Sequence, residues 1–150
     1  MAEAANTKAE SSTVRLCVVV ASVLVVGLGL GTRSYEGPLG EWGRASGGGV
    51  FYVVLLALLP ALVVPSWTRT SAGRWFLALS ATALSILVEL SQLWHTPWLD
   101  ELRQTRVGAL ALGSRFSELD LIAYPLGGLV SGGVLALVGR LAAPRSDRRG

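Results

Sequence analysis

The chain has 150 residues, of which 51% are hydrophobic and 15% are charged, and its formal net charge is +3. A soluble domain carries about 25% charged residues, so this composition excludes an ordinary soluble domain and favours an integral membrane protein. Twelve of the thirteen cationic side chains are arginines, mostly beside apolar runs, which is typical of membrane topology rather than of nucleic-acid binding. Cys17 is the single cysteine, which excludes an internal disulfide, and the sequence predicts no metal site and no cofactor.

Four apolar runs follow a polar N-terminal stretch. Residues 1–13 predict a disordered tail, and residues 144–150 predict a basic C-terminal tail. The predicted membrane spans are residues 14–31, 50–66, 75–94 and 119–143. Each approaches the length of about 20 residues that a helix needs to cross a bilayer. The sequence therefore predicts an all-α membrane protein, a four-helix transmembrane bundle with an amphipathic extracytoplasmic loop between helices 3 and 4.

The distribution of Lys and Arg predicts the orientation of this bundle. Four spans place both termini on one side, and that side carries eight cations: Lys8, Arg15, Arg69, Arg74, Arg140, Arg145, Arg148 and Arg149. The other side carries five: Arg33, Arg44, Arg103, Arg106 and Arg115. Because cytoplasmic loops of membrane proteins are enriched in these residues, we expect an inner-membrane protein with both termini in the cytoplasm and the lipid bilayer as its partner.

A polar stripe runs along the third predicted span. Thr82, Ser85, Glu89 and Gln92 are spaced by three, four and three residues, which places them on one face of a helix. Glu89 lies about five residues inside the interface, or roughly 7–8 Å at the rise of an α-helix. An acid at the centre of a membrane helix costs about 2.5–3.5 kcal/mol, so we expect the stripe to face other helices.

The fourth span presents a matching face. Its small residues are predicted to let another helix approach closely, and these are Gly127, Gly128, Ser131 and Gly132. Asp120 and Tyr124 continue this face toward the preceding loop. Close packing of the two spans predicts one polar cluster near the outer surface: Glu89, Gln92, Arg115, Asp120 and Tyr124. We expect the acids to be neutralised by arginines on the same side, Arg103, Arg106 and Arg115.

Simpler interpretations of these residues stay open. Ser117 followed three residues later by Asp120 matches a capping box, so the acid fits a helix cap as well. Glu89 and Gln92 equally fit hydrogen bonding between helices without any ligand. Tyr124 at the end of a span equally fits an interfacial anchor.

The loop of residues 95–117 is more than a tether. Thr96 and Pro97 have the pattern of an N-cap and first helical residue. We expect an apolar face of Trp98, Leu99 and Leu102, with Asp100, Glu101 and Arg103 more exposed. Residues 107–112 are apolar but too short to span. These features predict an amphipathic element on the outer leaflet, above the polar cluster. His95 near the acids fits a metal ligand or an acid–base group, but no second ligand has suitable spacing.

The stretch "VELSQLWHTPWLDELRQTRVGALALGSRFSELDLIAYPLGG" resembles an uncharacterised bacterial membrane family, domain of unknown function 2809. The likeness covers about residues 28–138. More distantly the chain is similar to the VanZ-like family, some of whose members are associated with glycopeptide-antibiotic resistance. By that likeness the motif positions are Glu89, Gln92, Arg115, Asp120 and Gly127. VanZ-like proteins tend to carry Asn at the position of Tyr124, and the closer family often opens its second span with Gly-Asp, where this chain has "GGGVFY".

Three functions follow as hypotheses. The first is a membrane protein that binds an amphiphile or lipid-type head group at the cell envelope through the outward polar cluster. The second is a structural or assembly protein whose polar residues bind no ligand. The third is an intramembrane enzyme that uses Glu89 or Asp120 as an acid–base group with help from His95, although no nucleophile with an adjacent base is visible.

Overall fold

The computed structural model describes residues 2–34, 36–37, 47–113 and 116–143. The described α-helices are α1 Ala2–Gly31, α2 Gly48–Val63, α3 Ser71–Ser91, α4 Pro97–Gln104, α5 Arg106–Leu112 and α6 Glu118–Ala142. Short 3-10 turns follow α1 at Thr32–Ser34 and α2 at Pro65–Thr68. Within this described part of the chain there is no β-strand, so the prediction of an all-helical fold is confirmed.

Three of the helices are long enough and apolar enough to cross a membrane. They are Thr7–Gly31 within α1, Ser71–Ser91 and Glu118–Ala142. Helix α2 is equally apolar but has 16 residues, which is about 24 Å of helix. It ends at Val63 because Pro65 disfavours helical geometry in the residue before it.

Helix α1 begins earlier than expected. Residues 2–13 were expected as a disordered tail, but they are helical. Ala, Glu and Lys in this stretch are good helix formers. The hydroxyls of Ser12 and Thr13 bond back to the carbonyls of Lys8 and Ala9, and Glu10 forms an ion pair with Arg69. The ion pair joins the polar start of α1 to the turn after α2.

Helix α2 lies among the other long helices. It packs against α1, α3 and α6, and α6 also packs against α1 and α3. One side of α2 is fully buried, through Val53, Val54, Ala57, Leu58 and Ala61. Its partners contribute Val14, Val18, Leu77 and Leu135 to the same core. The outer faces of α1, α3 and α6 expose large apolar side chains, as expected for surfaces that face lipid.

Glycines on α6 bring its neighbours close. A Cβ on Gly127 would lie 2.8 Å from the Cβ of Val53 and 2.9 Å from the carbonyl oxygen of Val50, so this glycine packs on α2. Gly128 faces Thr82 and Gly132 faces the ring of Trp75, both on α3. Ser131 is fully buried and donates to the Gly127 carbonyl. The small residues therefore sit at contacts with two different helices.

The helices place their polar residues at two opposite ends. We call the first the terminal end, which contains the start of α1, the turn Pro65–Thr68, the start of α3 and the end of α6. We call the second the loop end, which contains the end of α1, the start of α2, the end of α3, helices α4 and α5, and the start of α6. Exposed tryptophans occur at both, Trp67 and Trp75 at the terminal end and Trp94 and Trp98 at the loop end. This arrangement is typical of the two interfaces of a membrane protein.

Candidate functional site

Glu89 is the centre of a polar cluster at the loop end. Its side chain is only 2% exposed. Oε2 accepts a 2.6 Å hydrogen bond from the Tyr124 hydroxyl and a 3.3 Å hydrogen bond from Nε2 of Gln92. Oε1 accepts a 2.5 Å hydrogen bond from the backbone N–H of Ser117. Two of these three donors, Tyr124 and Ser117, join the end of α3 to the start of α6 through one carboxylate.

The Glu89 carboxylate also replaces a contact expected within α6. Ser117 is the N-cap residue of α6, but its side chain makes no capping hydrogen bond. In a capping box the acid three residues later would accept from the N-cap backbone N–H. Here Glu89 of α3 accepts from that N–H, where its negative charge also faces the positive end of the helix dipole. The carboxylate of Asp120 is therefore not needed as the reciprocal cap.

Two acceptors beside Glu89 are buried without a partner. Asp120 Oδ1 and Gln92 Oε1 make no hydrogen bond within the described residues. We call these two atoms the unpartnered acceptors. A Cβ on Gly49 would lie 3.0 Å from Asp120 Oδ1 and 3.2 Å from a ring carbon of Tyr124, so glycine at this position gives the acid its space. Buried acceptors of this kind are costly unless something donates to them.

Helices α4 and α5 lie at this end, and α5 is held by side chains from α2 and from the end of α3. Gln92 Nε2 donates to the Leu112 carbonyl at 3.0 Å, and the Tyr52 hydroxyl donates to the Ala111 carbonyl at 2.7 Å. Both carbonyls lie in the last turn of α5, where no helical donor follows. Gly113 then turns the chain with φ +65°, close against the Gln92 side chain. This conformation favours glycine, and a Cβ there would meet Gln92.

Arg103 has a different position from the one expected. It was expected to be exposed on α4, but it is 7% exposed. Its guanidinium donates to the carbonyls of Ser91 at 2.7 Å and Trp94 at 3.0 Å, and it lies 3.4 Å from Asp100. Ser91 is the last residue of α3 and Trp94 lies in the turn after it, and a guanidinium can donate to several carbonyls at once. Arg103 therefore connects α4 to the end of α3 rather than neutralising Glu89.

The expected cations are not the partners of Glu89 within the described part of the chain. Arg106 is exposed on α5, and Arg115 lies outside the described residues. His95 is exposed and forms a 3.4 Å pair with Asp100. Among the described residues, no three His, Cys, Asp or Glu side chains are grouped as metal ligands. Glu89 is instead satisfied by hydroxyl, amide and backbone donors.

Sequence reasoning missed three residues of this site. Tyr52 and Gly49 were not predicted, because their contacts depend on which face of α2 turns toward the site. The sequence around them is uniformly apolar and does not determine that face. Gly113 directly follows an apolar helix, which is a recognised signal for a helix-ending glycine. That signal could have located the turn that brings the chain back to Glu89.

The fold and this site together define an all-helical protein with several apolar helices suited to a membrane and a buried carboxylate cluster at one end. The chain belongs to DUF2809, a family of proteins of unknown function, whose model matches residues 39–128. This match includes α2 to α5 and the part of α6 that carries Asp120 and Tyr124. No solved structure matches the chain.

Proposed function

We propose that this chain is a four-span protein of the bacterial inner membrane with both termini in the cytoplasm. Three helices have sufficient length, and the position of α2 supports a fourth crossing. Its buried side is covered by α1, α3 and α6, so it runs between helices that are long enough and apolar enough to cross. The turn Pro65–Thr68 extends it further, and a bilayer can thin locally around a short helix. The excess of Lys and Arg at the terminal end supports the orientation.

We further propose that the loop end binds the polar head group of an amphiphile. The observation that carries this proposal is the pair of unpartnered acceptors, Asp120 Oδ1 and Gln92 Oε1, beside the satisfied carboxylate of Glu89. A ligand that donates hydrogen bonds to them would offset the cost of burying them. Helices α4 and α5 cover the same end, and exposed Trp98 and Leu102 on α4 suit contact with an acyl chain or the membrane interface.

The chemistry of the cluster favours a donor-rich head group. Its described side chains offer two carboxylates, one amide oxygen and one tyrosine, whose hydroxyl is already used by Glu89. A primary ammonium group supplies three N–H donors and a positive charge, which complements acidic acceptors. A choline head group carries the same charge but has no N–H donor. The proposed ligand class is therefore an amphiphile with a primary ammonium group.

A purely structural function is the second candidate, and one observation favours it. Glu89 receives all its hydrogen bonds from the protein, so helix packing alone explains that residue. Packing alone does not explain why Asp120 and Gln92 each bury an acceptor that receives no hydrogen bond from the described residues.

The distant resemblance to VanZ-like proteins is in keeping with a function at the cell envelope. His95 lies in an exposed pair with Asp100, and we propose no catalytic role for it.

The test uses matched photoactivatable lipids in vesicles that contain the full chain. A phosphatidylethanolamine probe and a phosphatidylcholine probe with the same diazirine tail differ only in the three N-methyl groups of choline, which replace the ammonium N–H donors. We expect the ethanolamine probe to label residues 89–124 about fivefold more strongly, the ratio for roughly 1 kcal/mol of hydrogen bonding. Asp120→Asn should reduce this labelling to the level of the choline probe.

The matched control is Glu118→Gln, which removes an exposed acid from the same turn of α6. It should leave labelling unchanged. Since Oδ1 of Asp120 has no described partner, Asp120→Asn should also leave the melting temperature within about 2 °C of the wild-type value. Equal labelling by the two probes would reject the head-group proposal. A large loss of stability in Asp120→Asn would instead favour the structural function.

A further inference from the structure

A cavity lies at the terminal end, far from the Glu89 cluster along the helices. It has a volume of about 570 Å³ and is bounded by α1, the turn Pro65–Thr68, the start of α3 and the end of α6. We call it the terminal cavity, and its polar lining includes Glu10, Thr68, Arg69, Arg74 and Arg140. Its apolar wall includes Val14, Ala136 and Ala142. Cavities of roughly 300–1,000 Å³ are the size that small ligands occupy in proteins.

The charge of the terminal cavity is positive. Three arginines and one glutamate line it. Glu10 forms an ion pair with Arg69 at 3.0 Å, while Arg74 and Arg140 make no ion pair within the described residues. Two guanidinium groups therefore remain to attract an anion. The positive-inside rule explains why arginines occur at this end, but it does not explain why they surround a cavity.

One of these guanidinium groups is already oriented. Arg74 Nη1 donates to the Thr68 carbonyl at 3.1 Å and to the Arg69 carbonyl at 3.3 Å. A guanidinium has five N–H donors, so others stay available for a ligand. Because the backbone holds the group in place, less conformational entropy is lost when an anion binds. Arg140 is exposed and lines the cavity from the last turns of α6.

The level of the terminal cavity in the membrane indicates the source of the anion. Trp67 and Trp75 lie at this end with their side chains 37% and 46% exposed. Tryptophans of this kind mark the depth of lipid head groups. A cavity at that depth, with arginines at its polar part and an apolar wall, matches a phosphate group followed by an acyl chain. We infer that the terminal cavity binds the phosphate group of an anionic phospholipid.

The test measures lipid binding to the purified full chain in detergent. The probes are dioctanoyl phosphatidylglycerol, dioctanoyl phosphatidylcholine and inorganic phosphate, with the apparent dissociation constant as readout. We expect phosphatidylglycerol to bind most tightly. Arg140→Gln should weaken it about fivefold, as expected for the loss of one partly exposed charge contact. Glu10→Gln should tighten it about twofold or more, because Arg69 would no longer be neutralised.

The control is Arg106→Gln, which removes an exposed charge at the loop end and should change the constant little. A gain of affinity in Glu10→Gln cannot arise from simple loss of structure, so it keeps the inference testable if Arg140→Gln is unstable. Equal effects of Arg140→Gln and Arg106→Gln would show non-specific attraction and overturn the inference, as would no response to Glu10→Gln. Binding of inorganic phosphate as tight as the lipid, with the same variant effects, would uphold the phosphate site but overturn its assignment to phospholipid. Asp120→Asn, which tests the head-group site, should leave this binding intact.

Discussion

The Tyr124 hydroxyl donates a 2.6 Å hydrogen bond to Oε2 of Glu89 and so joins α6 to α3 in the buried interior of the loop end. An ionised acid at the centre of a membrane helix costs about 2.5–3.5 kcal/mol. A hydrogen bond to a charged group returns about 1.5–3 kcal/mol, so the three donors around Glu89 can offset its burial without a cation. Glu89 therefore acts as a junction between helices that carry the candidate site.

Removal of the Tyr124 hydroxyl should destabilise the protein. Tyr124→Phe keeps the ring but takes one donor from a buried carboxylate, and we expect a loss of about 1.5–3 kcal/mol in the free energy of unfolding. SDS-induced unfolding in mixed micelles measures it. The matched variant is Tyr52→Phe, which loses a hydrogen bond to the neutral carbonyl of Ala111 and should cost only about 0.5–1.5 kcal/mol. A Tyr124→Phe loss no larger than that of Tyr52→Phe would contradict this account of the junction.

Arg103 should be sensitive even to replacement by another cation. Lys keeps the charge but cannot donate to the Ser91 and Trp94 carbonyls in the same fork geometry. We expect Arg103→Lys to cost about 1–2 kcal/mol and to speed chymotryptic cleavage beside Trp94 and Trp98. Arg106→Lys is the matched control, because Arg106 is exposed, and it should have no measurable effect. Similar behaviour of the two variants would mean that Arg103 does not hold α4 on α3.

The contact between α2 and α6 should depend on Gly127. Gly127→Ala would place a Cβ 2.8 Å from Val53 and 2.9 Å from the Val50 carbonyl, so one helix has to move. Overpacking costs about 1–3 kcal/mol and alanine gains roughly 1 kcal/mol over glycine in a helix, so we expect a net loss of up to about 2 kcal/mol. Gly133→Ala meets nothing within 4 Å and should be neutral or slightly stabilising. Thermal unfolding in detergent compares the two, and a neutral Gly127→Ala would show that α2 and α6 are less closely packed.

Periodicity in the sequence was enough to place Glu89, Gln92 and Tyr124 on helix faces that turn inward. That part was predictable because a buried acid on an apolar helix tolerates few environments. The partner of each group was not predictable, since Ser117 donates through its backbone and Arg103 reaches backbone carbonyls. Backbone donors and acceptors are present at every residue, so a sequence pattern does not reveal which of them a side chain contacts.

The proposed four-span arrangement predicts which exposed positions face the outside of the cell. In a Cys17→Ala background, Ser34→Cys and Glu101→Cys lie at the loop end, and Ser66→Cys lies at the terminal end. A membrane-impermeant maleimide should label the first two on intact cells and the third only after the membrane is permeabilised. Labelling the full chain keeps every helix in place, so α2 is tested among its own neighbours.

Ser34 and Ser66 lie on either side of α2 in the chain, so the side from which each is labelled shows whether that helix crosses the membrane. Labelling of both from the same side would show that α2 enters and leaves on one face, and only the three long helices would then span. Labelling of Ser66→Cys alone on intact cells would keep the four crossings but reverse the orientation. That reversal would place the Glu89 cluster in the cytoplasm, and the search for its amphiphile would move from the outer to the inner leaflet.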